Sequence, residues 1–277
     1  MQKISACVIT FNDEHTVAWS VASVQWVDEI VVVDTGSTDR TIEIAEQLGA
    51  RVVRTTPFDG FGAMRNRALE HCSHDWVLSL DADEHCTRPL QDEIKALLSG
   101  DPAHDAYFVP RDNYLMGRWI RGSGWHRNAR TPQLFRKSRF RYTASLAHEG
   151  HELASDRPPG WTTNVAWHFP FSTIEEVLHK ANLYSSLSAR SSSEKPTSMW
   201  SALGHGLWTF VRLYVFRAGF VDGWAGFIIA LSNFEGTFYR YAKRYEKTQN
   251  WGVPPEEGPP SSATSPKVPA QEQGRTR

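Results

Sequence analysis

The chain has 277 residues, with 30 Lys+Arg against 31 Asp+Glu and a formal net charge of −1. Hydrophobic residues make up 40% and charged residues 22%, which excludes a disordered chain or a fibre and leaves one or two globular domains. Near-neutrality argues against a general nucleic-acid binder, and three cysteines, Cys7, Cys72 and Cys86, are no disulfide framework.

The first ten residues hold one lysine and a short apolar run before Asp13 and Glu14. That pattern is not expected of a signal peptide, and the expected location is cytoplasmic. Ile4–Ile9, Ile30–Val33, Arg51–Arg54 and Trp76–Leu80 read as strands. Residues 38–48, 62–72 and 88–98 read as helices between or after them. For the first of these helices Ser37 or Thr38 is the expected N-cap and Gly49 the stop. Short apolar strands alternating with helices predict a parallel sheet covered on both faces.

Residues 101–170 lose helical periodicity, and Ala106–Val109 and Gln133–Phe135 read as short strands. Arg111–Arg141 carries nine Lys/Arg against one acid, Asp112. A helix is expected over 172–190. Residues 198–246 mix Trp, Phe, Tyr and Leu with arginines, and the Pro/Ser/Gly-rich stretch 250–277 reads as a disordered tail. The best candidate for a membrane segment, Gly223–Phe234, has 12 residues without a charge, against about 20 for a spanning helix.

Ligands of an open parallel sheet bind beyond the C-terminal strand ends. Three such ends carry chemistry: Thr10-Phe11-Asn12-Asp13-Glu14, Asp34-Thr35-Gly36-Ser37-Thr38-Asp39 and Asp81-Ala82-Asp83-Glu84. Adjacent carboxylates at a strand end favour a hard cation such as Mg²⁺ or Mn²⁺. Solvated loop acids or helix-capping groups are the bland alternative. His71, Cys72, His74, His85 and Cys86 match no zinc spacing, and no phosphate-binding P-loop is present.

In this order the pieces resemble family 2 glycosyltransferases of the GT-A fold. They are most similar to the subgroup that adds sugars to the lipopolysaccharide inner core, the β-1,4-glucosyltransferase type. The pieces are Ile9–Glu14, Trp26–Thr41, Arg65–Leu69, Asp75–Glu84, Met116–Ile120, Leu134–Arg136, His148–Glu149 and Arg217–Gly226. The resemblance implies an α/β, Rossmann-like nucleotide-sugar-binding sheet over 1–170. Residues 1–100 would bind nucleotide and 101–170 the acceptor. A helical, aromatic-rich region over 171–249 would follow, resting on the membrane interface or packing on the protein.

It implies an inverting hexosyltransferase that uses a UDP-sugar, glucose being the expected sugar, and Mg²⁺ or Mn²⁺. The acceptor would be a saccharide, lipid-linked at the inner membrane. Thr10, Phe11, Asn12, Glu14 and Asp34 would border the nucleoside. Arg65 would approach the diphosphate or sugar, Asp81 the ribose side, and Asp83 would be the main metal ligand. Many relatives carry two acids where this chain has Asp34-Thr35, which weakens the uracil contact. Glu149 would be the general base, with His148 as substitute base or a metal or phosphate contact. Arg118, Arg121, Arg127 and Arg130 would face an anionic acceptor. A protein or other polysaccharide acceptor is the alternative within this chemistry, and a non-catalytic nucleotide-sugar binder is the alternative outside it.

Overall fold

The uncharged run Ile4–Thr10 forms β1, buried at every position in a computed structural model that describes residues 1–55, 61–143, 150–191 and 197–249. The other strands are β2 (Glu29–Asp34), β3 (Arg51–Arg54), β4 (Trp76–Asp81), β5 (Glu84–Cys86), β6 (Ala106–Phe108) and β7 (Arg111–Leu115). After these come β8 (Arg118–Trp119), β9 (Leu134–Arg136), β10 (Phe140–Tyr142), β11 (His151–Leu153), β12 (Gly160–Trp161) and β13 (Ala166–Phe171). The helices are α1 (Val17–Ala22), α2 (Thr41–Gln47), α3 (Phe61–Glu70), α4 (Arg88–Ser99), α5 (Ile174–Ser191), α6 (Met199–Val211) and α7 (Trp224–Glu246). A π-helical turn, Arg212–Phe216, and a 3-10 turn, Gly219–Asp222, join α6 to α7.

The seven-stranded sheet has the order β12-β6-β9-β4-β1-β2-β3. β1 lies between β2 and β4 and is parallel to both, and β2 is parallel to β3. The C-terminal ends of β1, β2 and β4 therefore share one edge. The expected parallel half is present, but β9 runs antiparallel beside β4, so the sheet as a whole is mixed.

Side-chain alternation divides the core between the two faces. Ile4, Ala6, Val8, Leu78 and Leu80 pack with Val17 and Val21 of α1 and Leu90, Ile94 and Leu98 of α4. Cys7, Ile9, Val31, Val33 and Val77 pack with Met64, Ala68 and Leu69 of α3 and with Phe135 and Phe140. Covering both faces is why these strands read as continuous apolar runs rather than alternating ones.

One helix boundary departs from expectation. α2 begins at Thr41, with Arg40 at its N-cap and no side-chain cap. Ser37 and Thr38 instead bridge to the loop after β1, as described below. Gly49 does end that segment, at φ +78°.

A second sheet, β5-β13-β7-β8, carries the C-terminal helices. Leu115 and Ile120 pack with Val177 of α5 and with Ala225 and Ile229 of α7. The Arg217–Gly226 segment is a tight strap over this joint. Buried Asp222 accepts the N–H groups of Arg121 (3.0 Å) and Gly122 (2.7 Å). A Cβ on Gly226 would lie 1.8 Å from the Gly219 carbonyl oxygen, so the motif is set here by backbone contact.

Candidate active site

The loops after β1 and β2 are zipped together. Asn12, at φ +56°, donates its N–H to Ser37 Oγ (2.8 Å) and accepts from Thr38 N–H at Oδ1 (2.8 Å). Glu14 accepts from Arg40 N–H (3.1 Å), and Asp13 donates its N–H to Thr41 Oγ1 (2.8 Å). Buried Asp34 accepts the N–H groups of Gly36 (2.9 Å) and Ser37 (3.0 Å) at Oδ2. The turn needs Gly36 at φ +114°, where a side chain would be strained. Thr10 donates its hydroxyl to Asp13 (2.9 Å). Asn12, Glu14, Asp34 and Thr10 thus build the rim. Phe11, 58% exposed, presents an open aromatic face beside it.

The turn after β4 divides its acids. Asp81 pairs with Arg65 at 2.7 Å, and the Arg65 guanidinium lies 5.6 Å from the Tyr142 ring centre. Glu84 is fully buried. It pairs with Arg111 and accepts from Asp81 N–H (3.1 Å) and Gln133 Nε2 (2.8 Å). It is therefore a structural keystone of the turn. Asp83 faces His168 Nε2 at 3.6 Å and Lys180 Nζ at 3.9 Å. Its Oδ1 is buried and has no hydrogen-bond partner.

Sequence reasoning missed His168, Lys180 and Asn113. The sheet sets His168 opposite Glu84 on one side and Asn113 on the other, a register that no local motif announces. Asn113 Nδ2 donates to the Arg111 carbonyl (3.3 Å), to the Trp125 carbonyl and to Asn128 Oδ1 (3.2 Å). That fixes its amide so that Oδ1 accepts from His168 Nδ1 at 2.6 Å. Nδ1 therefore carries a proton and Nε2 is aimed at Asp83.

Burial opposes charge on Asp83, but His168, Lys180 and Arg111 outweigh it and hold the carboxyl below its usual range. Burial works against the charged form of His168, and Asp83 and Glu84 reverse this to raise its pKa. Burial lifts Asp13 to about 6, and the nearby Asp83 charge adds to the rise. Asp83, with a buried oxygen that lacks a hydrogen-bond partner and a charge felt by Asp13, is an oxygen donor whose tension a hard cation would relieve. Among the described residues no group of three or more His, Cys, Asp or Glu side chains is placed to hold a metal ion. A cation here would therefore need further oxygens from a ligand.

His148 and Glu149 lie outside the described residues. The hairpin β10–β11 that flanks them is anchored: Asn66 donates to the Tyr142 carbonyl (2.8 Å) and accepts its N–H (2.9 Å). Its stem thus stands beside Arg65.

The basic stretch is partly neutralised by distant acids. Arg136 pairs with Asp75 (3.3 Å) and Asp105 (3.2 Å), and Arg139 lies 3.8 Å from Asp105. Arg127 is 3.9 Å from Asp112. Arg118, Arg121 and Arg130 are exposed.

Residues 5–155 match the family model described as Glycosyl transferase family 2. An uncharacterized glycosyltransferase of Rickettsia felis is 32% identical over 266 residues, covering 89% of this chain and 90% of that protein. The lipopolysaccharide core biosynthesis glycosyltransferase LpsC of Rhizobium meliloti is 29% identical over 251 residues, covering 88% and 92%. Among solved structures, glucosyl-3-phosphoglycerate synthase from Mycobacterium tuberculosis is 28% identical with a TM-score of 0.32. That match covers 42% of this chain and 45% of that one.

Proposed function

The chain belongs to glycosyltransferase family 2, and from that premise we propose that it moves glucose from UDP-glucose, with inversion, to a hydroxyl of a lipid-linked lipopolysaccharide-core saccharide. The observation that carries the reading is Asp83: a buried oxygen without a hydrogen-bond partner, at the shared edge of β1, β2 and β4. The acceptor class is supported by the likeness to LpsC along most of both chains.

In this reading Phe11 stacks on uracil, framed by Thr10, Asn12, Glu14 and Asp34. Asp81 faces the ribose, and Arg65 sits where it can offset diphosphate charge. Asp83 and His168 Nε2 would hold Mg²⁺ or Mn²⁺, the imidazole kept in its ligating tautomer by Asn113. When bound, the ion supplies Lewis-acid stabilisation of the departing diphosphate. Glu149 takes the proton of the attacking hydroxyl, a role worth about 10²–10⁴-fold in rate, with His148 next to it.

The C-terminal helices are read as resting on the cytoplasmic face of the inner membrane. Among the described residues no helix is long and apolar enough to cross a membrane. Yet Trp200, Leu207, Trp208, Val211 and Val215 are exposed at helical spacing, and Phe216 and Phe220 follow them. Residues 198–221 include Arg212 and Arg217 and no acid. Aromatic bodies with interspersed arginines suit an anionic lipid interface.

Calorimetry of UDP with and without Mn²⁺ tests the core of this reading. Asp83→Asn should abolish the metal-dependent part, and an unchanged titration would remove Asp83 from the site. Glu149→Gln should keep UDP binding and lose transfer to purified truncated lipopolysaccharide cores. Trp200→Ser/Trp208→Ser should weaken flotation with phosphatidylglycerol-containing vesicles, and equal flotation would remove the membrane contact.

A further inference from the structure

An open cavity of about 300 Å³ lies between α5 and α7, and none of the roles above uses it. Lys180 and Tyr184 face it from α5, and Ser232, Gly236 and Arg240 face it from α7 at successive turns. Trp125 and Phe171 form an aromatic wall, stacked at 6.2 Å between ring centres. Among the described residues, two cations and several hydroxyls line it and no Asp or Glu does.

The cavity communicates with the site through Lys180. Its ammonium lies 3.9 Å from Asp83 and 5.0 Å from the Phe171 ring centre, and it donates to the Pro170 carbonyl at 3.0 Å. One side chain therefore borders both the acid at the end of β4 and the mouth of the cavity. Aromatic faces, hydroxyl groups and two cations together recognise a sugar ring that bears a negative group.

We propose that this cavity is the acceptor subsite, seating a sugar on Trp125 and Phe171 with its phosphate or carboxylate between Lys180 and Arg240. The proposal rests on the glycosyltransferase reading and adds the chemistry of its acceptor. It also moves the anion-binding role from the exposed Arg118, Arg121 and Arg130 to a concave site. The half-buried Lys180 and Arg240 lose less to water and salt than fully exposed arginines do.

Gly236 provides the test, because a Cβ there would meet nothing within 4 Å. Gly236→Leu projects a side chain into the cavity, and leucine is the better helix former, so thermal stability should hold or rise. Saturation-transfer NMR on the full chain would use glucose 6-phosphate, glucuronate and glucose as probes, with UDP–Mn²⁺ calorimetry as the control for the donor half. The wild type should bind both anionic probes more tightly than glucose. Gly236→Leu should lose all three probes while retaining UDP affinity. Arg240→Gln should weaken the anionic probes roughly tenfold and leave glucose unchanged. A response to glucose 6-phosphate alone assigns the group as phosphate, and a response to glucuronate alone as carboxylate. Probe binding unchanged in Gly236→Leu, or no preference for anionic sugars, overturns the subsite. If UDP–Mn²⁺ binding is absent from the wild type while the probes still bind, the proposed metal-dependent UDP-sugar donor reading falls instead.

Discussion

Glu84 offers the sharpest test of how the turn after β4 is held. Its Oε2 takes the Asp81 N–H and Gln133 Nε2, while its Oε1 meets Arg111. Glu84→Gln can keep the first two bonds through its carbonyl, but it then turns an NH₂ group towards a guanidinium that is 21% exposed. Burial raises the Glu84 carboxyl in spite of Arg111, so the intact pair adds little net stability and its rupture is what costs. Leaving one buried partner alone costs about 3–5 kcal/mol. At roughly 2–4 °C per kcal/mol for a chain of this size, the midpoint should fall by about 6–20 °C. Arg111→Met added to Glu84→Gln removes the stranded charge, so the double variant should be more stable than Glu84→Gln. Thermal and urea unfolding of the four proteins gives the coupling energy directly. Strictly additive single effects, or a Glu84→Gln variant within about 1 kcal/mol of the wild type, would refute the account.

Three further outcomes follow from particular contacts. Gly226→Ala places a methyl group 1.8 Å from the Gly219 carbonyl oxygen, which no side-chain motion can relieve. The strap must open, and limited proteolysis near 217–226 should accelerate while UDP affinity is kept. Glu29 is held at about 2, because its bonds to Ser5, Ser73 and Arg51 outweigh the effect of burial. With the folded value depressed, its contribution is present above about pH 4.5 and lost as pH falls towards 2. The stability gap between Glu29→Gln and wild type should therefore narrow below pH 4.5, and a gap constant down to pH 3 would contradict the assignment. Asn113→Leu removes the acceptor for His168 Nδ1–H and frees the ring to rotate. A loss of Mn²⁺-dependent UDP affinity of about 10–100-fold is expected, with metal-free UDP binding unaffected.

The fold of residues 1–100 was legible in the sequence because each signal there is local. Runs such as Ile4–Ile9 and Ile30–Val33 become strands since both faces are covered, and the acids follow directly at their ends. The N-terminus of α2 departs from the expected cap for a physical reason. Ser37 and Thr38 are good caps, but Asn12 in its left-handed conformation competes for them from another loop. The net charge of Arg111–Arg141 is smaller in the fold than the sequence run implies, because Asp75, Asp105 and Glu84 reach Arg111 and Arg136 from distant positions. His168 was invisible for a related reason. Its neighbours Glu84 and Asn113 are supplied by strand register across a second sheet that the sequence does not announce.

That second sheet also separates the roles of the three acids in Asp81-Ala82-Asp83-Glu84. A two-residue spacing alone suggests that Asp81 and Asp83 act together on one ion. In the fold Asp81 is claimed by Arg65 and Glu84 by Arg111, each at its own short contact. Asp83 keeps a buried oxygen without a hydrogen-bond partner and, unlike the other two acids, has no close ion-pair contact among the described residues. The cations around it stand at 3.6 Å and 3.9 Å, beyond direct hydrogen bonding. They favour the ionised acid without occupying it. Asp13, which feels the Asp83 charge and is lifted to about 6, responds to the same imbalance from the loop after β1. A divalent ion would lower both tensions at once. For that reason the decisive measurement is the proton count. Binding of UDP–Mn²⁺ near pH 6, followed in two buffers of different ionisation enthalpy, should release protons from Asp13 and His168. Binding without proton release would mean that these groups do not face the ion.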